Sequence, residues 1–191
     1  MYQMDPVTFV SNFTLGGAEP WKAHPFLIRA GGHFWSAASS GYMFVGLRQP
    51  GANPCRDVPI KKLTKFILTP ARHGAELDLA LLREWVGTPP SGMVPHGDVE
   101  NGQQVALLGI TLDRRKLAWF LKHLKEVHKI YVWDTTVLLS VKSLGFEWQG
   151  GNGRALIAGI DRPPDEDDDV FEIPRTSQED ALDLMLSLPD E

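Results

Sequence analysis

The chain has 191 residues, of which 43% are apolar, and a formal charge of −5. It is long enough for one sizeable core and too apolar for a disordered polymer, and no apolar run nears the roughly 18 residues that span a bilayer, so no membrane partner is expected. The one cysteine, Cys55, excludes an internal disulfide or a Cys-built zinc cage within the chain. With an N-terminus that lacks a secretory pattern, it points to the reducing cytoplasm.

The charge is unevenly spread. Residues 164–191 hold eleven acids against one base, Arg175, a local charge of −10 that leaves residues 1–163 at +5. A basic body with an acidic tail reads either as a solubilising extension or as a tail that screens a polyanion site on the body.

In chain order, Asp5-Pro6 is a helix start, an aspartate cap before a proline at the first helical position, and Gly16-Gly17 is its stop. Pro25–Ala30, His33–Ala38 and Tyr42–Arg48 read as an antiparallel meander, with Gly31-Gly32 as a two-residue hairpin turn. Gln49–Pro59 is loop-like. Ile60–Leu68 has helical apolar spacing, and so does Glu76–Val86, although its Leu-Asp-Leu-Ala-Leu start also permits a strand. Gly87–Gln104 is a glycine- and proline-rich loop. Ile110–Leu112 is a short strand, Asp113 a helix cap, and the following helix runs to about Val127 with Leu117, Phe120, Leu121 and Leu124 on one face. Strands follow at Lys129–Trp133, Thr136–Ser143 and Ala155–Ile160, with Gly145–Trp148 extending the second or standing alone. The turns are Asp134-Thr135 and Gly150–Gly153, and Pro163-Pro164 ends the domain. Asp165–Asp169 is a like-charge run expected to be disordered. Ser177–Leu188 reads as a capped amphipathic helix.

No motif for chemistry appears. The sequence has no Gly-x-Ser-x-Gly elbow, phosphate-binding Gly-x-x-x-x-Gly-Lys loop or His-Glu-x-x-His pair. Gly150–Gly153 lies between strands and is not followed by a helix, as a dinucleotide loop would be. His73, Glu76 and Asp78 are the densest potential ligand group, without a recognised spacing. The expectation is a protein with no cofactor, no metal and no catalytic residue, hence not an enzyme.

The body repeats one pattern. Residues 1–48 and 109–162 each read as a short strand, a helix and three antiparallel strands, with residues 49–108 inserted between them. Two such units can pair edge to edge with both helices on one sheet face. MDPVTFVSNF followed by HPFLIRAGGHFWSAASSGYMFVGLR, and GITLDRRKLAWFLKHL followed by KIYVWDTTVLLSVKSLGFEWQGGNGRALIAGIDRP, resemble the two halves of one domain of the bacterial DNA sliding clamp. The resemblance implies an α+β, clamp-like domain over 1–163 with helices toward DNA and sheets outside, followed by an acidic tail over 164–191. It also implies a homo-oligomer, since a clamp normally carries two or three such domains per chain and this chain has room for one.

The sharpest functional pattern is basic. Arg114, Lys122, Lys125 and Lys129 fall at offsets that share one helical face, flanked by Arg115 and Lys116. Such a row neutralises phosphates without reading bases, which makes Arg114, Arg115, Lys122, Lys125 and Lys129 the candidate DNA-binding residues. The first helix has no cations, and Lys61, Lys62 and Lys65 of the insertion are candidates to compensate. The six tryptophans fit core or interface packing better than stacking on bases. In the tail, Ala181-Leu182-Asp183-Leu184-Met185 looks like a degraded form of the Leu-x-Leu peptides that dock polymerases on bacterial clamps. Leu182, Leu184 and Met185 are therefore candidate partner-binding residues. Two readings stay open: a clamp-like accessory of replication or transcription that meets DNA and recruits a DNA or RNA polymerase, or a protein–protein interaction module that binds no DNA, of a kind a phage could encode.

Overall fold

The computed structural model describes residues 5–15, 20–52, 55, 57, 60–71, 73–95, 97, 102–136 and 142–174. Helix α1 (Pro6–Ser11) starts as its sequence dictates: the Asp5 carboxylate accepts the Thr8 amide at 2.8 Å, and Pro6 occupies the first turn. The strand expected before it, and the Gly16-Gly17 stop, lie outside the described residues. After α2 (Pro20–Ala23) comes the meander of β1 (Phe26–Ala30), β2 (His33–Ser39) and β3 (Met43–Gln49). Gly31 and Gly32 turn β1 into β2 with φ of 58° and 75°, a backbone that only glycine adopts without strain.

The insertion is more than helices. It contributes α3 (Lys61–Leu68), β4 (Ala75–Asp78), α4 (Leu79–Val86) and β5 (Gln104–Leu107). The segment expected to be helical from Glu76 divides at Asp78, whose carboxylate accepts the amides of Ala80 and Leu81 and so begins α4 there. Gln104, expected in a loop, opens β5.

The second half follows with β6 (Ile110–Asp113), α5 (Arg114–His123), β7 (Lys129–Thr135), β8 (Ser143–Trp148), a 3-10 turn at Gln149–Gly151, and β9 (Gly153–Ala158). Helix α5 stops about one turn before Val127. Leu124 leaves helical geometry (φ −80°, ψ 66°) and Glu126 takes φ 60°, although Leu124 and Val127 remain buried. Asp134 and Thr135, expected to turn, continue β7 and pair with Leu144 and Ser143. The second strand is Ser143–Trp148 rather than Thr136–Ser143. Thr136 and Lys142 are outside strands, and 137–141 lie outside the described residues. In β8, Leu144, Phe146 and Trp148 alternate into the core, the period a sheet requires.

Among the described residues, seven strands form one sheet in the order β1-β2-β3-β9-β8-β7-β4, every neighbour antiparallel. The last strand of each meander forms the seam, with Val45 opposite Ala155. Both repeat helices lie on one face of this sheet. Phe13, just after α1, meets Phe120 of α5 at 6.1 Å between ring centroids, Phe9 meets Trp148 at 6.2 Å, and Phe120 meets Phe146 at 4.9 Å. Met43, Val45, Ala155 and Ile157 face this layer. Their neighbours Phe44 and Leu156 face the other way, into a second cluster with Leu63, Phe66 and Ile67 of α3. Each of these buried aromatics contributes on the order of 2–3 kcal/mol from burial. β5 and β6 form a separate hairpin through Leu108-Gly109, both at positive φ, and are joined by β10 (Asp169–Val170), which runs parallel to β5.

Candidate nucleic-acid interface

Helix α5 is begun by Asp113, which is buried and accepts the Arg115 amide at 2.9 Å. Leu117, Ala118, Phe120 and Leu121 face the core. The remaining face carries Lys116, Trp119 and Lys122. Because α5 ends at His123, the row of four cations on one helical face does not form. Lys125 sits in the turn beyond the helix, and Lys129 is the first residue of β7.

The five candidate cations differ in what they already hold. Arg114 donates to the carbonyls of Trp85 and Val86 at 2.9 and 3.2 Å and to Asp169 Oδ2 at 2.6 Å. Arg115 folds back onto Asp113 at 2.9 Å. The Lys129 ammonium meets Glu76 at 2.8 Å, and that hydrogen bond and charge raise its pKa. Lys122 is exposed and lies 5.0 Å above the Trp119 ring, a cation–π distance. Lys125 is exposed. Lys116 lies 4.4 Å over Tyr42, at the foot of the same helix. Lys61, Lys62 and Lys65 cannot extend this surface, because α3 covers the opposite face of the sheet.

Three arginines do structural work that spacing does not reveal. Each sends its guanidinium to the carbonyls at a helix C-terminus, where the orphan acceptors and the negative end of the helix dipole favour a cation. Arg83 takes Leu121 and Leu124 at the end of α5 (2.9 and 2.5 Å), Arg114 takes the end of α4, and buried Arg154 takes Phe66, Ile67 and Thr69 at the end of α3 (2.6–3.0 Å) while pairing with Glu147. Of the tryptophans, Trp35, Trp133 and Trp148 are core residues. Trp85 and Trp119 are half-buried beside cations. His123 donates through Nδ1 to the Trp119 carbonyl at 2.8 Å and packs against Phe13; burial lowers its pKa. Glu76 and Asp78, weighed with His73 as ligands, are engaged by Lys129 and by the α4 amides.

The acidic run also departs from expectation. Asp165–Asp169 was expected to be disordered beyond a boundary at Pro163-Pro164, yet the packed chain continues to Phe171. Arg162 grips Asp168 with two bonds of 2.7 Å, and Asp169 accepts from Arg114 and from Trp85 Nε1 (3.0 Å). Both carboxyls are held below the usual range, by Arg162 and by Arg114 respectively. Phe171 donates its amide to Ala106 at 3.0 Å and meets the Trp85 ring edge-on at 5.1 Å. Cation partners and strand pairing overcome like-charge repulsion here. Leu182, Leu184 and Met185 lie outside the described residues.

Two helices side by side on one face of a sheet built from two equivalent meanders define a clamp-like α+β fold. No family model matches the sequence, and no curated protein does. Solved structures do match. A chain assigned as a DNA polymerase III β subunit, the bacterial sliding clamp, from Eubacterium rectale ATCC 33656 aligns with a TM-score of 0.54 at 10% identity, over 95% of this chain and 65% of that one. The β subunits of Thermotoga maritima and Pseudomonas aeruginosa align with TM-scores of 0.47 and 0.48 at 12% and 14% identity, each over 84% of this chain and 63% of the other. The likeness is one of fold, and the matched part spans less than two thirds of those chains. Among the described residues no helix is long and apolar enough to cross a membrane.

Proposed function

We propose that this chain is a clamp-like, non-enzymatic accessory of DNA replication or transcription that rests on the phosphate backbone through the outward surface of α5. The reading is supported chiefly by one observation: the two repeat helices share a sheet face, and at the end of α5 Lys122 stands exposed over half-buried Trp119, with exposed Lys125 in the turn that follows. They lead the contact, and Arg114, Arg115 and Lys129 add positive potential around it. Contacts of this kind are sequence-independent and weaken with salt. In this reading a polymerase docks through Leu182, Leu184 and Met185, and several copies assemble so that their α5 surfaces face one duplex. The test is binding to a random-sequence duplex across about 50 to 200 mM salt, where replacing both lysines should flatten the log–log salt dependence by about 2. Lys122→Glu with Lys125→Glu should weaken binding at least ten-fold, with light scattering reporting the assembly.

A second reading has its own observation. Three of the five candidate cations already hold carboxylates: Arg114, Arg115 and Lys129. If DNA binding is absent, or indifferent to salt and to the two reversals, the chain is a protein–protein interaction module and α5 is a solvated helix.

A further inference from the structure

Residues 162–171 form a strap across the N-terminal end of α5. Two attachments hold it to the body, the Asp169 carboxylate on Arg114 and Trp85 and the two-residue pairing of β10 with β5 that brings Phe171 onto Trp85, while the Arg162–Asp168 fork closes a loop within the strap. The segment Pro164–Pro174, which includes most of the strap, carries six acids and no base. The attachment is superficial, for the Asp169 side chain is 50% exposed and Val170 is 55% exposed. Exposed ion pairs are weak and screened by salt. Arg114 makes different uses of its two terminal nitrogens. Nη1 closes the end of α4, while Nη2 meets only the strap among the bonds above. Lifting the strap would therefore leave Arg114 in position and release a directed N–H pair. Glu166 and Asp167, both exposed, add to the negative charge of the strap.

We propose that this strap is an intramolecular competitor that occupies Arg114 in place of a nucleic-acid phosphate and must lift for the full cationic surface to engage. The inference rests on the phosphate-contact reading above and assigns its regulation. A carboxylate and a phosphate oxygen make the same charge-assisted bond to a guanidinium, and two anions side by side at Nη2 repel each other, so the strap and a phosphate compete for it. Competition is reciprocal: whatever lifts the strap tightens DNA binding, and DNA loosens the strap by the same factor.

The experiment uses the full chain and a fluorescein-labelled random-sequence duplex. Asp169→Asn removes the charge and keeps the shape, and Phe171→Ala releases the strap by a different contact. Each should tighten binding roughly ten-fold and steepen the log–log salt dependence by about 1, one further phosphate. Adding Arg114→Gln to Asp169→Asn should remove the gain that Asp169→Asn gives alone. Hydrogen exchange at the Phe171 amide should accelerate when DNA is added. Wild-type, Asp169→Asn and Phe171→Ala chains that bind DNA equally would overturn the strap's role while leaving the DNA reading intact. Absence of binding in every variant, down to the lowest salt, would remove both.

Discussion

Trp133 lies opposite Gly145, and Trp148 opposite Gly153, each in a neighbouring strand of the sheet. In both pairs the indole covers the glycine: a Cβ on Gly145 would come within 2.4 Å of Trp133, and one on Gly153 within 2.0 Å of Trp148. The two faces of the sheet are thus filled by the same device, one indole toward α3 and the other toward α1 and α5. Trp133 in turn stacks on Phe66 of α3 at 5.9 Å and 15°. Gly145→Ala should displace this stack and cost about 1–3 kcal/mol, the usual range for overpacking, read as a lowered midpoint in chemical denaturation. An unchanged midpoint would show that the ring moves freely.

At the scale of elements, the inserted α3 is attached by apolar packing and by one buried cation. Arg154 reaches its final carbonyls from β9, so the sheet itself holds the helix end. Glu147 balances that charge and opposes Arg154 in the sheet register. Removing one partner of such a buried pair is costly because the other is left uncompensated. Arg154→Met should destabilise the fold by about 3 kcal/mol, and the double change with Glu147→Gln should cost less than the single one. Equal losses would mean that the helix-end carbonyls, not Glu147, dominate. α4 and α5 are tied by the same logic in both directions, Arg83 onto one end and Arg114 onto the other.

At the scale of the whole molecule, the seam between β3 and β9 and the Phe13–Phe120 contact make the two halves share one core. Neither half can expose its inner face without breaking the other's packing. Unfolding should therefore be a single cooperative transition, with far-ultraviolet dichroism and tryptophan fluorescence coinciding. Phe120→Ala should cost about 3–5 kcal/mol of stability and lower both midpoints together. Separate transitions would show that the halves fold independently. The same seam aligns α1 and α5, so the charge surface of α5 is set by the assembled pair.

The sequence alone determined the first meander, the Gly31-Gly32 hairpin, the caps at Asp5 and Asp113, the repeated succession of a helix and a meander and the acidic imbalance, because glycine conformation, capping and residue period are local properties. The expectation of two helices on one clamp-like sheet agrees with the fold, since each apolar face has no other surface to bury against. What only the tertiary structure decided are the partners of charges. Helical spacing continued past His123 because Leu124 and Val127 remain buried in a turn that imitates the period. Arg114 and Lys129 read as outward cations, but their fate depends on Asp169 and Glu76, which lie 55 and 53 residues away in the chain. The acidic run read as disordered because its repulsion is local while Arg114 and the β5 strand that hold its end are distant in the chain. A charge's role depends on its distance to other charges in space, and one-dimensional spacing carries that distance only within a helix or a strand.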